Sequence, residues 1–156
     1  LALSEQFNDK YHRLRSLYRL GQVQLHRGLW VEAEHRYREL LAEAQQEHWE
    51  RQEAYSKLHL ALALIGQAQQ DEAAALLTEA IDLGGKWKEP LLEGKAQLEL
   101  ATLEFQRGRT ESATSLAHSA LTLFQRFGDR YDEMKTADLL ARLDTACAPD
   151  HSRGNS

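Results

Sequence analysis

A chain of 156 residues, 42% hydrophobic and 28% charged, is long enough for one domain with a sizeable core and has the composition of an ordinary soluble globular protein. Its formal charge of -5, with no run of Lys and Arg, argues against a nucleic-acid surface. The single cysteine, Cys147, excludes an intrachain disulfide and points to a reducing, cytoplasmic setting. No apolar run approaches a membrane span, and residues 1–20 lack a signal-peptide pattern. The absence of an initial Met reads as the mark of a piece of something longer.

Only two prolines occur, and Ala, Leu, Glu, Gln and Arg dominate, so an all-helical chain is expected. The opening stretch LALSEQFNDKYHRL (1–14) lines up with LTLFQRFGDRYDEM (121–134). Residues 1–9 are therefore read as the end of a preceding repeat, with Asn8-Asp9 as the turn after it, because Asn and Asp favour turns and caps. Over residues 10–27, Leu14, Leu17, Leu20 and Val23 recur at helical spacing. Gly28 ends that helix. Its partner is predicted over 30–46, with Ala33, Tyr37, Leu40 and Leu41 on one face; the small Ala33 permits close approach and Tyr37 fills the space one turn later.

The next pair is predicted over 50–66 and 70–83. Ala61 stands in place of Gly21 and Ala68 in place of Gly28, which favours helix and stiffens the turn, so the same fold with a different local turn is expected. Gly84-Gly85 is read as the stop of the second of these helices. Pro90 suits the first turn of the following helix, predicted to 107. Gly108 turns the chain, residues 111–127 form the partner, and a last helix over 131–146 carries Leu139, Leu140 and Leu143. The polar stretch APDHSRGNS (148–156) is expected to be disordered.

Leu20 leads to Leu60 and Leu100, and Ala33 to Ala73 and Ala113, in steps of 40 residues. A period of that length signals a stacked array in which no single unit buries its own apolar face. The repeats fall at about 10–49, 50–89 and 90–129, with a final helix at 130–147. Both ends of such an array, Leu139 to Leu143 included, would expose faces that a further repeat covers, and self-association through an end is one reading.

Leu20-Gly21, Gly28, and Ala33 followed by Tyr37 resemble the tetratricopeptide repeat, whose helix-turn-helix signature has L-G and A-x3-F at similar offsets. Leu17 stands where that pattern has Trp, Gln24 where it has Tyr, Gln46 near where it has Pro, and the period is six residues longer. The chain is thus similar to the longer-helix branch, such as Leu-Gly-Asn repeat adaptors and the sensor arrays of maltose-regulator-type bacterial activators. The resemblance covers about residues 1–147. It implies an all-α, right-handed superhelical array of antiparallel helix hairpins, a TPR-like α-solenoid without cofactors, whose first helices line a concave groove.

Carried over from the family, the groove positions fall on Arg15, Tyr18, Arg19, Gln22, Leu25 and His26 in the first repeat. The same offsets give Tyr55, Leu58, His59, Leu62 and Ile65, then Lys95, Leu98, Glu99, Thr102 and Phe105, and in the final helix Lys135, Asp138, Leu139 and Arg142. Such a groove is partly apolar and net basic, which suits a protein or peptide partner with apolar anchors and acidic flanks. Leu58, Leu62, Leu98 and Phe105 can equally pack one helix against the next. Capture of a terminal carboxylate by groove asparagines, as in the chaperone-binding members, does not fit: the chain's Asn residues are Asn8 and Asn155, both outside these positions. A ligand-sensing array of a bacterial transcription regulator is the alternative that the resemblance offers.

Nothing in the sequence marks catalysis. His12, His26, His35, His48, His59 and His118 are scattered without an HExxH motif or an i, i+4 pair, so no metal site is expected. Cys147 has no neighbouring base, and no G-x-S-x-G, P-loop or dinucleotide fingerprint occurs. The chain is read as a non-enzymatic interaction module, without nucleic-acid or membrane partners.

Overall fold

The computed structural model describes residues 2–148, and the regular structure among them is helical throughout. The expected disordered tail falls, from residue 149 on, outside the described residues. The chain divides into two compact units, one reaching to Lys88 and the other beginning at Glu89. The first holds α1 (Ala2–His26), α2 (Trp30–Gln46), α3 (Glu50–Gly66) and α4 (Gln70–Lys86). The second holds α5 (Pro90–Gln106), α6 (Thr110–Phe127) and α7 (Arg130–Cys147).

The turns obey a stricter period than the sequence motif. Positive φ recurs at Gly28 (72°), His48 (57°), Ala68 (60°), Lys88 (53°), Gly108 (76°) and Gly128 (83°), a spacing of 20 residues. At five of these turns the residue just after it returns its N–H to a carbonyl near the helix end: Leu29 to Gln24 (2.9 Å), Trp49 to Ala44 (2.8 Å), Gln69 to Leu64 (2.9 Å), Arg109 to Glu104 (2.8 Å) and Asp129 to Phe124 (3.2 Å). These bonds satisfy carbonyls that the end of a helix would leave orphaned.

Three sequence expectations about the turns are corrected. Ala68 adopts the same left-handed conformation as Gly28 and closes its turn with the same bond, rather than a different turn. The closing bond and the packing of the hairpin outweigh a Cβ penalty of roughly 1–2 kcal/mol. Asn8 and Asp9 lie inside a continuous α1, not at a turn, so the series of left-handed turns that includes His48, Lys88 and Gly128 does not extend back to Asn8. The helix of the second repeat runs through Gly84 and Gly85 to Lys86, because its end is set by the turn at Lys88 and Gly84 is buried against the unit.

Within the first unit α3 packs against α2 and α4 and touches α1, so it is buried around most of its circumference. In the second unit α6 packs against both α5 and α7 around Leu98, Ala113, Ala117, Phe124, Leu139 and Leu143. Leu139 and Leu143 are therefore core residues, not the open face expected from the sequence, because α6 covers them. Close approach rests on small residues opposite rings. A Cβ on Gly21 of α1 would sit 2.7 Å from Cζ of Tyr37 on α2, and one on Gly94 of α5 would sit 2.9 Å from Cε1 of Phe124 on α6.

Candidate functional site

The first unit contains a cleft of about 240 Å3 between α1, the end of α2 and the start of α3. From α1 it is lined by Tyr11, Leu14, Arg15 and Tyr18, which share one face at i, i+3, i+4 and i+7 spacing. Leu40 and Ala44 of α2 form its floor, Trp49 enters from the turn, and Gln52, Tyr55 and Ser56 close it from α3. Most of this surface is aromatic or aliphatic, with the guanidinium of Arg15 as its charge.

Salt bridges fix the α1–α2 edge of the cleft. Lys10 pairs with Glu47 and lies 3.7 Å from Glu43, while Arg13 donates to both carboxylate oxygens of Glu43 at 2.6 and 2.7 Å. Trp49 is held between the edge of Phe7, at 5.9 Å between ring centroids, and the Lys10 ammonium, 5.7 Å from its centroid. Arg15 and Arg19, by contrast, make no ion pair or side-chain hydrogen bond among the described residues, and both are exposed. The positive charge that remains available is therefore at the cleft and one turn beyond it.

An aromatic cluster backs the cleft. Tyr18 packs edge-on to Tyr37 (5.8 Å), Tyr55 (6.4 Å) and His59 (4.8 Å). His59 Nδ1 lies 2.9 Å from both the Tyr55 carbonyl and the Tyr18 hydroxyl, and the same hydroxyl lies 3.1 Å from Nε2. Tyr37 donates its hydroxyl to the Tyr18 carbonyl at 3.2 Å. Burial above all, with Tyr37 and Tyr55 adding to it, pushes the Tyr18 hydroxyl far above the ordinary phenol range, and burial likewise raises Tyr37. Both phenols stay neutral: they order the cleft wall and do not exchange protons near neutral pH.

Of the groove residues expected from the sequence, the structure gathers Arg15, Tyr18 and Tyr55 in this cleft and sets His59 directly behind Tyr18. Arg19, Gln22, His26 and Leu62 lie outside it. Leu58 and Leu98 are only 3% and 4% exposed, so they are corrected from groove anchors to core: α3 is enclosed on several sides, and Leu98 belongs to the core around Phe124. Phe105 packs against that same core. The Thr102 hydroxyl is taken up by the Leu98 carbonyl of its own helix at 3.0 Å.

The expected net basic character also fails in the second unit. Lys95 lies 3.6 Å from Asp132, Arg142 lies 3.5 Å from Asp138, and Glu99 is half-buried near Lys135 and Asp132. Burial, more than any neighbour, raises the carboxyls of Glu99 and Asp132, with Lys135 and Lys95 respectively pulling the other way. Sequence reasoning missed Tyr11, Leu14, Trp49 and Gln52. Extending the Arg15–Tyr18 face one turn toward the N-terminus reaches Tyr11 and Leu14; Trp49, at a turn, carries no periodic signal at all. Among the described residues no group of three or more His, Cys, Asp or Glu is placed to hold a metal ion, and no helix is long and apolar enough to cross a membrane.

No protein-family model and no curated protein matches the chain. Two crystal structures, one of them of a single-substitution form, do resemble it: nearly identical TPR-like repeats assigned to a kinesin light chain of Podosopora anserina. Each superposes with a TM-score of 0.71 at 22% identity, over 86% of this chain. The chain spans 66% of the length of those proteins, just under two thirds. At this identity the likeness establishes the fold: the seven helices described are TPR-like helical repeats, as the resemblance carried by Leu20-Gly21, Gly28, Ala33 and Tyr37 implied.

Proposed function

We propose that the chain is a non-enzymatic protein-interaction module that receives a peptide or helix of another protein on the exposed face of its first helices. The observation that carries this reading is the pairing, on one face of α1, of two arginines without ionic partners among the described residues, Arg15 and Arg19, with the aromatic cleft beside them. Every other Lys or Arg on the α1–α2 edge described above is already neutralised by a glutamate. A partner with an apolar anchor and acidic flanks gains buried contact from the cleft and steering from the arginines. A cytoplasmic, regulatory or adaptor setting goes with the single exposed cysteine and the repeat architecture.

The test is selection from a displayed random-peptide library, comparing the intact chain with an Arg15→Glu, Arg19→Glu double variant. Enrichment of acidic, aromatic-containing peptides by the intact chain, weakened about three- to thirtyfold in the variant while helicity and melting hold, is the expected result, since each exposed charge contributes roughly 0.5–1 kcal/mol. Equal enrichment by both proteins would sink the assignment.

Self-association is a second reading, carried by a different face. Tyr131 and Met134 of α7 are 73% and 72% exposed, beside the half-exposed Phe127. Sedimentation of a Met134→Glu variant checks it: an oligomer of the intact chain that the change dissolves supports this face, and a monomer at high concentration counts against it.

A further inference from the structure

We propose that the cleft of the first unit binds a free monocyclic aromatic carboxylate, a phenyl-sized ring carrying one acid group. It assigns a free small molecule to the cleft that also forms part of the proposed partner surface, and its failure is distinguishable from the failure of that reading. The argument comes from setting each unit against the other, two 40-residue periods apart. Ala44, on the floor of the cleft, corresponds to Phe124; Leu14 corresponds to Gly94, Arg15 to Lys95, and Gln52 to Asp132.

In the second unit the chain supplies its own ring and its own acid at these positions. Phe124 is fully buried and lies against Gly94, and the Asp132 carboxylate stands 3.6 Å from the Lys95 ammonium. In the first unit both have been removed and the cation kept. The ring is reduced to the methyl of Ala44, the carboxylate to the carboxamide of Gln52, and Arg15 is left without an ionic partner among the described residues. Leu14 takes back part of the space, yet a cleft of about 240 Å3 remains. A molecule bearing a ring and a carboxylate restores both missing groups at once.

The remaining walls agree in chemistry. Tyr11, Trp49 and Tyr55 offer ring faces and edges to an aromatic guest. The volume lies below the roughly 300 Å3 at which sites for drug-sized ligands begin, and so suits a single ring. A cationic guest is disfavoured by Arg15 in the lining. The Tyr18 phenol, held neutral, puts no negative charge opposite an incoming carboxylate.

The experiment is calorimetric titration of the whole chain with 3-phenylpropionate, alongside its neutral analogue 3-phenylpropan-1-ol, the ring-free acid propionate, and the capped peptide acetyl-Glu-Phe-Glu-amide. Saturable binding of 3-phenylpropionate is expected, with both the alcohol and propionate about fivefold or more weaker, since each lacks one of the two interactions. Arg15→Gln, a surface change that leaves the ring site intact, should weaken the acid about fivefold and leave the alcohol unchanged. A Leu14→Gly, Ala44→Phe variant copies the second unit's own plug and should abolish binding of the acid and the alcohol alike.

No saturation by 3-phenylpropionate at millimolar concentration overturns the proposal, as does binding that neither variant alters. Binding of the peptide without the free acid overturns it too, transferring the chemistry to a protein segment. If the plugged variant does not fold, the Arg15→Gln comparison between acid and alcohol decides alone. Library peptides that bind the intact chain while the free acid does not would leave the partner surface standing and remove only this inference.

Discussion

The two units are built on one register but place their large ring two helical turns apart. In the first, Tyr37 of α2 lies over Gly21 of α1, and the positions seven residues further along α2 and seven back along α1 are Ala44 and Leu14, where the cleft opens. In the second, the positions of Gly21 and Tyr37 are taken by Ala101 and Ala117, and the ring is Phe124 over Gly94. In each unit the glycine on the first helix sits opposite the ring on the second, because close-packed helices leave no room for a Cβ at that spot. Where the ring sits decides where the hairpin is solid and where it is hollow.

Charge differs in the same way. In the first unit Lys57, almost buried, is held between Glu53 and Glu79 at 2.7 Å each. One 40-residue period further on, rather than two, its equivalent is Gln97, whose buried Oε1 has no partner among the described residues, and Ser119 stands at the place of Glu79. Burial alone then raises the carboxyl of Glu93, the counterpart of Glu53.

The most disruptive way to break the comparison is Phe124→Ala. It opens the second unit where the first is open, and should cost about 3–5 kcal/mol in chemical denaturation, the range for deleting a buried ring. A cost below that of a surface substitution would mean that the ring is not what fills this space. Gly21→Ala strikes the corresponding contact of the first unit. With Cζ of Tyr37 2.7 Å from the new Cβ, a loss of roughly 1–3 kcal/mol is expected, and Tyr37→Leu in the same chain should recover part of it.

Gln97→Met goes the other way. Removing a buried amide oxygen that has no partner among the described residues should stabilise the chain by about 1 kcal/mol, read as a shifted denaturation midpoint at unchanged slope. Lys57→Met in the first unit should destabilise instead, since it strands Glu53 and Glu79 without their cation.

The smallest effect is a divergence in pH response. In the second unit burial raises Glu93, Glu99 and Asp132 in the folded state, so folding favours their protonated forms. Their contribution is complete below the ordinary carboxylate values and is lost as pH rises through the raised ones. In the first unit the hydrogen bond from Gln67, ahead of Arg38, lowers Glu34, whose contribution is present above 4.5 and lost as pH falls through the depressed value. Amide exchange followed from about pH 7 to about pH 5, corrected for intrinsic rates, should therefore show α5 and α7 gaining protection while α2 holds steady. Parallel changes in both units would contradict this assignment of charges.

Helix type and the hairpin period were legible from the chain, since Leu20, Leu60 and Leu100 and Ala33, Ala73 and Ala113 repeat at 40-residue intervals in a sequence rich in helix formers; the separate helix end expected over residues 1–9 was not, because α1 runs through it. Three of the ten residues that line the cleft, Arg15, Tyr18 and Tyr55, follow from position within the repeat. Leu58 and Leu98 went astray because a leucine at a groove offset looks the same whether a neighbouring helix covers it or not. His48, Ala68 and Lys88 hid their left-handed turns because residue type marks such a turn only when it is glycine.

Local and periodic properties were thus determined by the sequence itself: helices, their pairing and the absence of a recognisable catalytic motif. Whether a small residue faces a ring, as Gly94 faces Phe124, or borders a cleft, as Ala44 does, was decided only by the tertiary structure. Packing depends on the summed volume of side chains from different helices, and no single stretch of chain contains that sum.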